Sequence, residues 1–200
     1  MRHARIVELA RSFNARRTLD LGCSLGQLTV GLAELPGKLF AADLSPTAVL
    51  RARKNVGDAV EFVAARSLAL PFESNSFDLV IASDGLYSWD LPAEDRAASL
   101  LEIHRAVKSG GVAIFTDHMR RHRFRDFVAE VESSPFRVES VSFFYDRLAY
   151  QFESWTKGVQ GLSVAKALRR STNVASVLSR VGALFGPRGA RHICVIARKL

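Results

Sequence analysis

Between Arg17 and about Arg120 the chain alternates short apolar runs, bounded by turn residues, with longer stretches whose apolar positions recur at helical spacing. "TLDLG" (18–22), "KLFAADL" (38–44), "AVEFVAA" (59–65), "FDLVIAS" (77–83) and "VAIFTDH" (112–118) each read as a buried strand. Helices are predicted over 26–35, over 45–55 with Ser45 as N-cap and Pro46 at its first position, and over 92–111. The last of these has Pro92 and acids at its start, Leu100, Leu101 and Val107 on its apolar face, and Gly110-Gly111 as its stop. Phe124, Phe127, Val128 and Val131 resume helical spacing, and "MRHARIVELARSFNARR" at the N-terminus reads as a basic amphipathic helix. "FRVESVSFFYD" (136–146) and "RHICVIARKL" (191–200) are β-like runs suited to an antiparallel pair at one end of the sheet. Between them, about 147–189 reads as a mostly helical insertion, clearest at Val174, Val177, Leu178, Val181, Leu184 and Phe185 and ended by "GPRG".

Strand–helix alternation of this kind predicts an α/β fold. The expectation is a three-layer Rossmann-like sandwich around a seven-stranded, mostly parallel sheet with an antiparallel last strand, forming one domain over 1–200. Right-handed crossovers put the C-terminal ends of the parallel strands on one edge, where such sheets bind ligands. Asp20, Asp43, Ser83, Asp84, Asp117 and His118 all fall at predicted strand ends, so they gather there.

Composition narrows the setting. At 48% hydrophobic, 200 residues suit one domain with a full core. No apolar run approaches the ~18 residues of a membrane span, and the N-terminal segment lacks a signal peptide's apolar stretch and cleavage site. Cys23 and Cys194 make no disulfide framework, so a cytoplasmic location is expected. His118 and His122 have i,i+4 spacing without a third ligand type nearby, so no metal site is expected. The net charge of +8 is uneven: ten Lys/Arg and a single acid, Glu153, lie in residues 147–200. That excess suggests an anionic partner or surface.

"LDLGCSLGQLT" (19–29) contains two motifs. Read from Gly22 it is G-x-S-x-G, a hydrolase nucleophile elbow with Ser24 as attacker. That reading wants several strands and an oxyanion loop upstream, and only one strand's worth of chain precedes Ser24. Read from Asp20 it is close to a glycine-rich nucleotide turn, although a nicotinamide-type G-x-G-x-x-G is broken by Ser24 and Gln27. The stretch resembles motif I (D/E-x-G-x-G-x-G) of class I S-adenosylmethionine-dependent methyltransferases, with Asp20, Gly22 and Gly26 matching and Ser24 departing. "FAADLSPTAVLRAR", "LPFESNSFDLVIAS" and "RAVKSGGVAIFTD" resemble the family's next segments, in order, across roughly residues 17–120. "LVIASDGLYSW" resembles the same segment in nodulation-factor N-methyltransferases.

The resemblance implies S-adenosylmethionine as cofactor, in a turn built from Asp20, Gly22, Cys23, Ser24 and Gly26. Gly22 and Gly26 are expected to allow a close backbone approach to the ligand. Asp20's position serves the methionine ammonium, and Asp43 the ribose hydroxyls, with Leu44 and Ser83 beside them. Where relatives often place an acid for the adenine amine, this chain has Arg66, which has only donors. Arg66 is expected to stack on adenine or point outward, while Ser67 and Leu68 read the base through backbone groups. His118, Asp84 and Tyr87 are the candidate catalytic residues, and Tyr87 with Trp89 the candidate acceptor walls. The expected reaction is methyl transfer to an oxygen or nitrogen of a small-molecule, lipid-linked or carrier-bound acceptor, expected to be anionic, with residues 147–189 as cap or docking surface. The alternative is a non-catalytic basic module holding RNA or an anionic membrane surface. Nucleic acid is disfavoured because no stacking motif, helix-turn-helix or zinc pattern is present.

Overall fold

The computed structural model describes residues 2–86, 91–145, 172–184 and 186–200. Its seven strands are β1 (Arg17–Leu21), β2 (Lys38–Asp43), β3 (Glu61–Ala64), β4 (Phe77–Ser83), β5 (Val107–His118), β6 (Phe136–Phe144) and β7 (His192–Lys199). They form one sheet in the order β3-β2-β1-β4-β5-β7-β6. β1 to β5 pair in parallel, while β7 runs antiparallel to both of its neighbours. The six helices described are α1 (Arg2–Ser12), α2 (Gln27–Leu32), α3 (Pro46–Val56), α4 (Ala93–Ala106), α5 (Phe124–Ser133) and α6 (Thr172–Ala183).

Alternation along each buried strand divides the core between two faces. Leu39, Ala41, Leu79 and Ile81 pack toward Ile6 and Ala10 of α1, Leu28 and Leu32 of α2, and Val49 and Ala52 of α3. Their neighbours Phe40, Ala42, Val80 and Ala82 pack on the other side with Leu100 and Ile103 of α4 and Phe124, Phe127 and Val131 of α5. The three-layer sandwich expected from the alternation is therefore present. Edge-to-face rings of Phe40, Phe72 and Phe77 fill one corner, with the Arg17 guanidinium 4.7 Å from the centre of the Phe40 ring.

Local chemistry explains the helix ends. Ser45 caps α3 by accepting from the Ala48 N–H (3.2 Å), with Pro46 behind it. Glu94 and Asp95 occupy the first turn of α4. That helix stops earlier than expected: Val107 is already extended (φ −72°, ψ 139°), and Gly110 and Gly111 fall inside β5. The pair lies where the register between β4 and β5 shifts, and Gly110 (φ 76°) takes the left-handed conformation there. Leu101 is exposed, and Ile103 and Ala106 carry the buried face instead. Of the helical insertion expected at 147–189, residues 147–171 and 185 lie outside the described residues; α6, the turn at Leu184 and a short 3-10 turn at Gly186–Gly189 account for the rest. Among the described residues no helix is long and apolar enough to cross a membrane.

After β1 the chain reverses through Gly22 (φ 83°), Ser24 (φ 49°) and Gly26 (φ 84°), all left-handed. The two glycines are needed for different reasons. A Cβ on Gly22 would meet nothing closer than 3.7 Å, so only its backbone conformation is restrictive. A Cβ on Gly26 would lie 2.8 Å from Cγ2 of Val56 and 3.4 Å from Ala52, so its absence lets α2 approach α3. Gly26 is thus a packing glycine and does not line the ligand crevice, which corrects the role expected for it. Gly22→Ala should cost about 1 kcal/mol in urea unfolding. Gly26→Ala should cost roughly 2–3 kcal/mol, because overpacking adds to the same backbone penalty.

Candidate active site

The strand order reverses between β1 and β4, and a cavity of about 620 Å³ opens beyond their C-terminal ends. This is within the usual range for a small-molecule site. Asp20, Gly22, Cys23, Ser24, Asp43, Leu44, Arg66, Ser67, Leu68, Ser83 and Asp84 all line it. The cofactor positions expected from the sequence are therefore brought together, Gly26 excepted.

Asp43 organises one half. Its Oδ2 accepts from the Ser24 N–H (2.8 Å) and its Oδ1 from the Ser45 N–H (2.9 Å), tying the turn after β1 to the end of β2. Each carboxylate oxygen retains a second lone pair for a ligand hydroxyl. Leu44, 69% exposed, offers an apolar wall beside it. Ser67 Oγ is engaged with Ser99 Oγ at 2.8 Å, so that segment has its backbone left to offer a ligand, and Arg66 is exposed. Ser83 Oγ accepts from Thr116 Oγ1. Among the described residues no hydrogen bond joins Ser24 to a histidine, and its backbone is spent on Asp43, so the nucleophile-elbow geometry is absent.

Asp20 sits beneath the turn, 1% exposed, with Oδ2 accepting from Thr29 Oγ1 at 2.6 Å. Burial pushes its carboxyl up to about 6, the Thr29 bond opposing and the nearby Asp43 charge adding. Cys23, also in the wall, is pushed up to about 12, mainly by burial, and is inert as a nucleophile.

The other half is made of side chains that the sequence reading did not assemble. Asp84 stands just past β4 with φ 55°, an unusual conformation for a residue with a Cβ, and its N–H is held by the Thr116 carbonyl at 2.8 Å. Its Oδ2 pairs with Arg2 Nη1 at 2.5 Å. Its Oδ1 is sealed from solvent and has no hydrogen-bond partner among the described residues, with His192 Nε2 the near group at 3.7 Å. Arg2 and His3 of α1 line the cavity together with Asp84. His118 does not: it lies at the end of β5, its ring 4.9 Å from that of His192, its partner in the β5–β7 ladder. Tyr87 and Trp89 lie outside the described residues. Arg2, His3 and His192 were missed because they are far from the motifs in sequence; a polar His at the first position of a buried strand was the one available sign.

The methyltransferase-domain family model matches residues 19–115. A demethylmenaquinone methyltransferase from Chlorobaculum tepidum is 34% identical over 104 residues, 52% of this chain and 41% of that protein. The mitochondrial arginine-hydroxylase NDUFAF5 of Danio rerio is 35% identical over 113 residues, 55% of this chain and 32% of that protein. The chain therefore spans less than half the length of either relative. The crystal structure of the N-methyltransferase NodS from Bradyrhizobium japonicum WM9 superposes with a TM-score of 0.66 at 16% identity, covering 99% of this chain and 94% of that one. NodS has also been crystallised with S-adenosyl-L-homocysteine.

The buried carboxyl makes a prediction about stability. With a folded value raised from 3.8 to about 6, Asp20 binds its proton more tightly in the folded chain than in the unfolded one. Its contribution is therefore most favourable at low pH and is lost as pH rises through about 6, by roughly 3 kcal/mol in all. Asp20→Asn, which keeps an acceptor for Thr29, should gain on the wild type in urea unfolding as pH rises from 4 to 7. Equal stability differences at the two ends would show that Asp20 is ordinary.

Proposed function

We propose that the chain, whose residues 19–115 match the methyltransferase-domain family model on a fold shared with class I S-adenosylmethionine-dependent methyltransferases, transfers a methyl group from S-adenosylmethionine to a small-molecule acceptor. The observation that carries this reading is Asp43: a carboxylate at the end of β2, braced by two backbone N–H groups, opening on the cavity.

The cofactor supplies a methyl on a sulfonium, and the residues present fit it. Asp43 holds the ribose hydroxyls with its remaining lone pairs. Leu44 packs on the adenine face while the Ser67–Leu68 backbone reads its edge, and Arg66 borders the base. The turn from Gly22 to Ser24 approaches the methionine portion, because Gly22 has no side chain to stand in the way. Asp20, beneath, offers negative charge to the ammonium; Ser83 stands beside it. Methyl transfer is an in-line displacement that needs little beyond positioning, worth up to roughly 7–11 kcal/mol, unless the acceptor must lose a proton.

The acceptor enters on the Arg2, His3, Asp84 and Leu86 side. Asp84 is the residue proposed to meet it there; Tyr87 remains a candidate from sequence alone, and His118 stands outside the cavity lining. The name of the Chlorobaculum relative supports a quinone-related acceptor; the basic C-terminal quarter suits a lipid-linked or anionic form of it.

Calorimetry tests the premise. S-adenosylmethionine should bind the wild type, and Asp43→Ala should weaken it tenfold or more, since each lost charge-assisted bond is worth about 1.5–3 kcal/mol. Because the ammonium favours ionised Asp20, affinity should fall as pH drops through about 6, and Asp20→Asn should flatten that dependence. Wild-type protein that binds none of the cofactor would remove the reading.

A further inference from the structure

The acceptor side of the cavity holds a group whose bonds do not add up. Arg2 Nη1 contacts both Asp84 Oδ2 and His192 Nε2. A guanidinium has only donors, so Nε2 of His192 must be the acceptor there and its proton must sit on Nδ1. The same reasoning makes His3 Nε2 the acceptor of Arg2 Nη2 (3.1 Å), and burial together with the Arg2 charge holds His3 below the ordinary histidine range. With no proton on Nε2 of His192, nothing among the described residues donates to Asp84 Oδ1, although the two atoms are only 3.7 Å apart and Oδ1 is sealed from water. A buried carboxylate oxygen left without a donor is costly. The cluster is therefore one proton short of a complete network.

We propose that His192 acts through Asp84 as the store for the proton that the acceptor gives up. The proposal rests on the methyl-transfer reading and makes His192 a positioning residue, since it stands behind Asp84 and does not line the cavity. An acceptor O–H or N–H meets the carboxylate at Oδ2, alongside Arg2, because Oδ1 is inaccessible. The acceptor's lone pair forms the bond to the methyl carbon, the sulfur–carbon pair returns to sulfur, and one proton is released. That proton passes by way of Asp84 to Nε2 of His192, and the imidazolium donates to Oδ1. Arg2 then gives up Nε2, which no longer has a lone pair, and keeps Oδ2. Among the described residues, the charged and titratable neighbours that face the imidazole include Arg2 and His3 from α1, Asp84 after β4 and His118 on β5; on β6 its ladder partner is the apolar Phe144. The acceptor class that follows is one with a proton to lose, a hydroxyl or an ammonium.

Ring-nitrogen NMR on the full chain, run beside calorimetry with S-adenosylmethionine, tests this. At neutral pH His192 should be in the Nδ1–H form. On acidification an Nε2–H resonance should appear far downfield, and Asp84→Asn should abolish that displacement. With reduced 1,4-naphthoquinone as probe acceptor, His192→Gln should lower S-adenosylhomocysteine formation about tenfold or more and remove the acid limb of the rate–pH profile. Cofactor affinity should stay within about twofold of the wild type. His192 in the Nε2–H form at neutral pH overturns the proposal, as does a His192→Gln variant with an unchanged profile. If the probe is not turned over, the ring tautomer decides alone. A wild type that does not bind the cofactor brings down the methyl-transfer reading instead, and the proton store with it.

Discussion

The rest of the site depends on how the chain reverses after β1. Three left-handed residues in five, Gly22, Ser24 and Gly26, turn the backbone so sharply that its N–H groups must find partners outside a helix. They find them at the end of the next strand. Gly22 and Cys23 both donate to the Ala42 carbonyl, and Ser24 donates to the Asp43 carboxylate. Asp43 is thus a structural clip and a ligand-facing carboxylate at once. The cavity exists because this clip holds the turn back from the strand ends, and the placing of every later group on that edge follows from the strand order.

The cofactor half could be read from sequence because its residues are local. A carboxylate, two glycines and a second carboxylate 21 residues beyond the first glycine fix one strand, one turn and the neighbouring strand. The Ser24 departure is accommodated without a change of course: φ 49° is within reach of a residue with a small polar side chain. Gly26 shows the limit of motif reading. Its spacing is that of a ligand-binding glycine, yet what requires it is Val56, a residue of the next helix that no local pattern includes. Gly110-Gly111 failed as a helix stop for a similar reason: the register shift that uses it belongs to the pairing of two strands.

The acceptor half was not readable because its residues meet only through the sheet's last insertion. β7 enters between β5 and β6 and runs antiparallel to both, which sets His192 opposite His118 and close to Asp84. Arg2 arrives from the other end of the chain on a helix whose anchors are Ile6 and Ala10, two apolar residues with nothing functional about them. Apart from a polar His at the start of a buried strand, position along the chain carries no trace of these meetings. Long-range pairing decided them, and with it that the buried His192, and not the candidate His118, lies nearest the carboxylate.

The two halves also differ in what holds them. Backbone groups and short side chains in a braced turn make the cofactor half, so it tolerates few changes. The acceptor half is made by long side chains converging from α1, β4 and β7, where substitution alters chemistry without disturbing the turn. Its cost is visible in Asp84, which combines a left-handed backbone with a sealed oxygen that no described residue satisfies. A fold stabilised on that side alone would have relaxed both, by a glycine at 84 or by a donor opposite Oδ1. Asp20 makes the same point from beneath the turn, buried at a cost that only a cation placed above it would offset. Two carboxylates are thus held against their own preference, one on each side of a single cavity, which is the pattern the proposed roles of Asp20 beside a ligand ammonium and Asp84 beside an acceptor would explain.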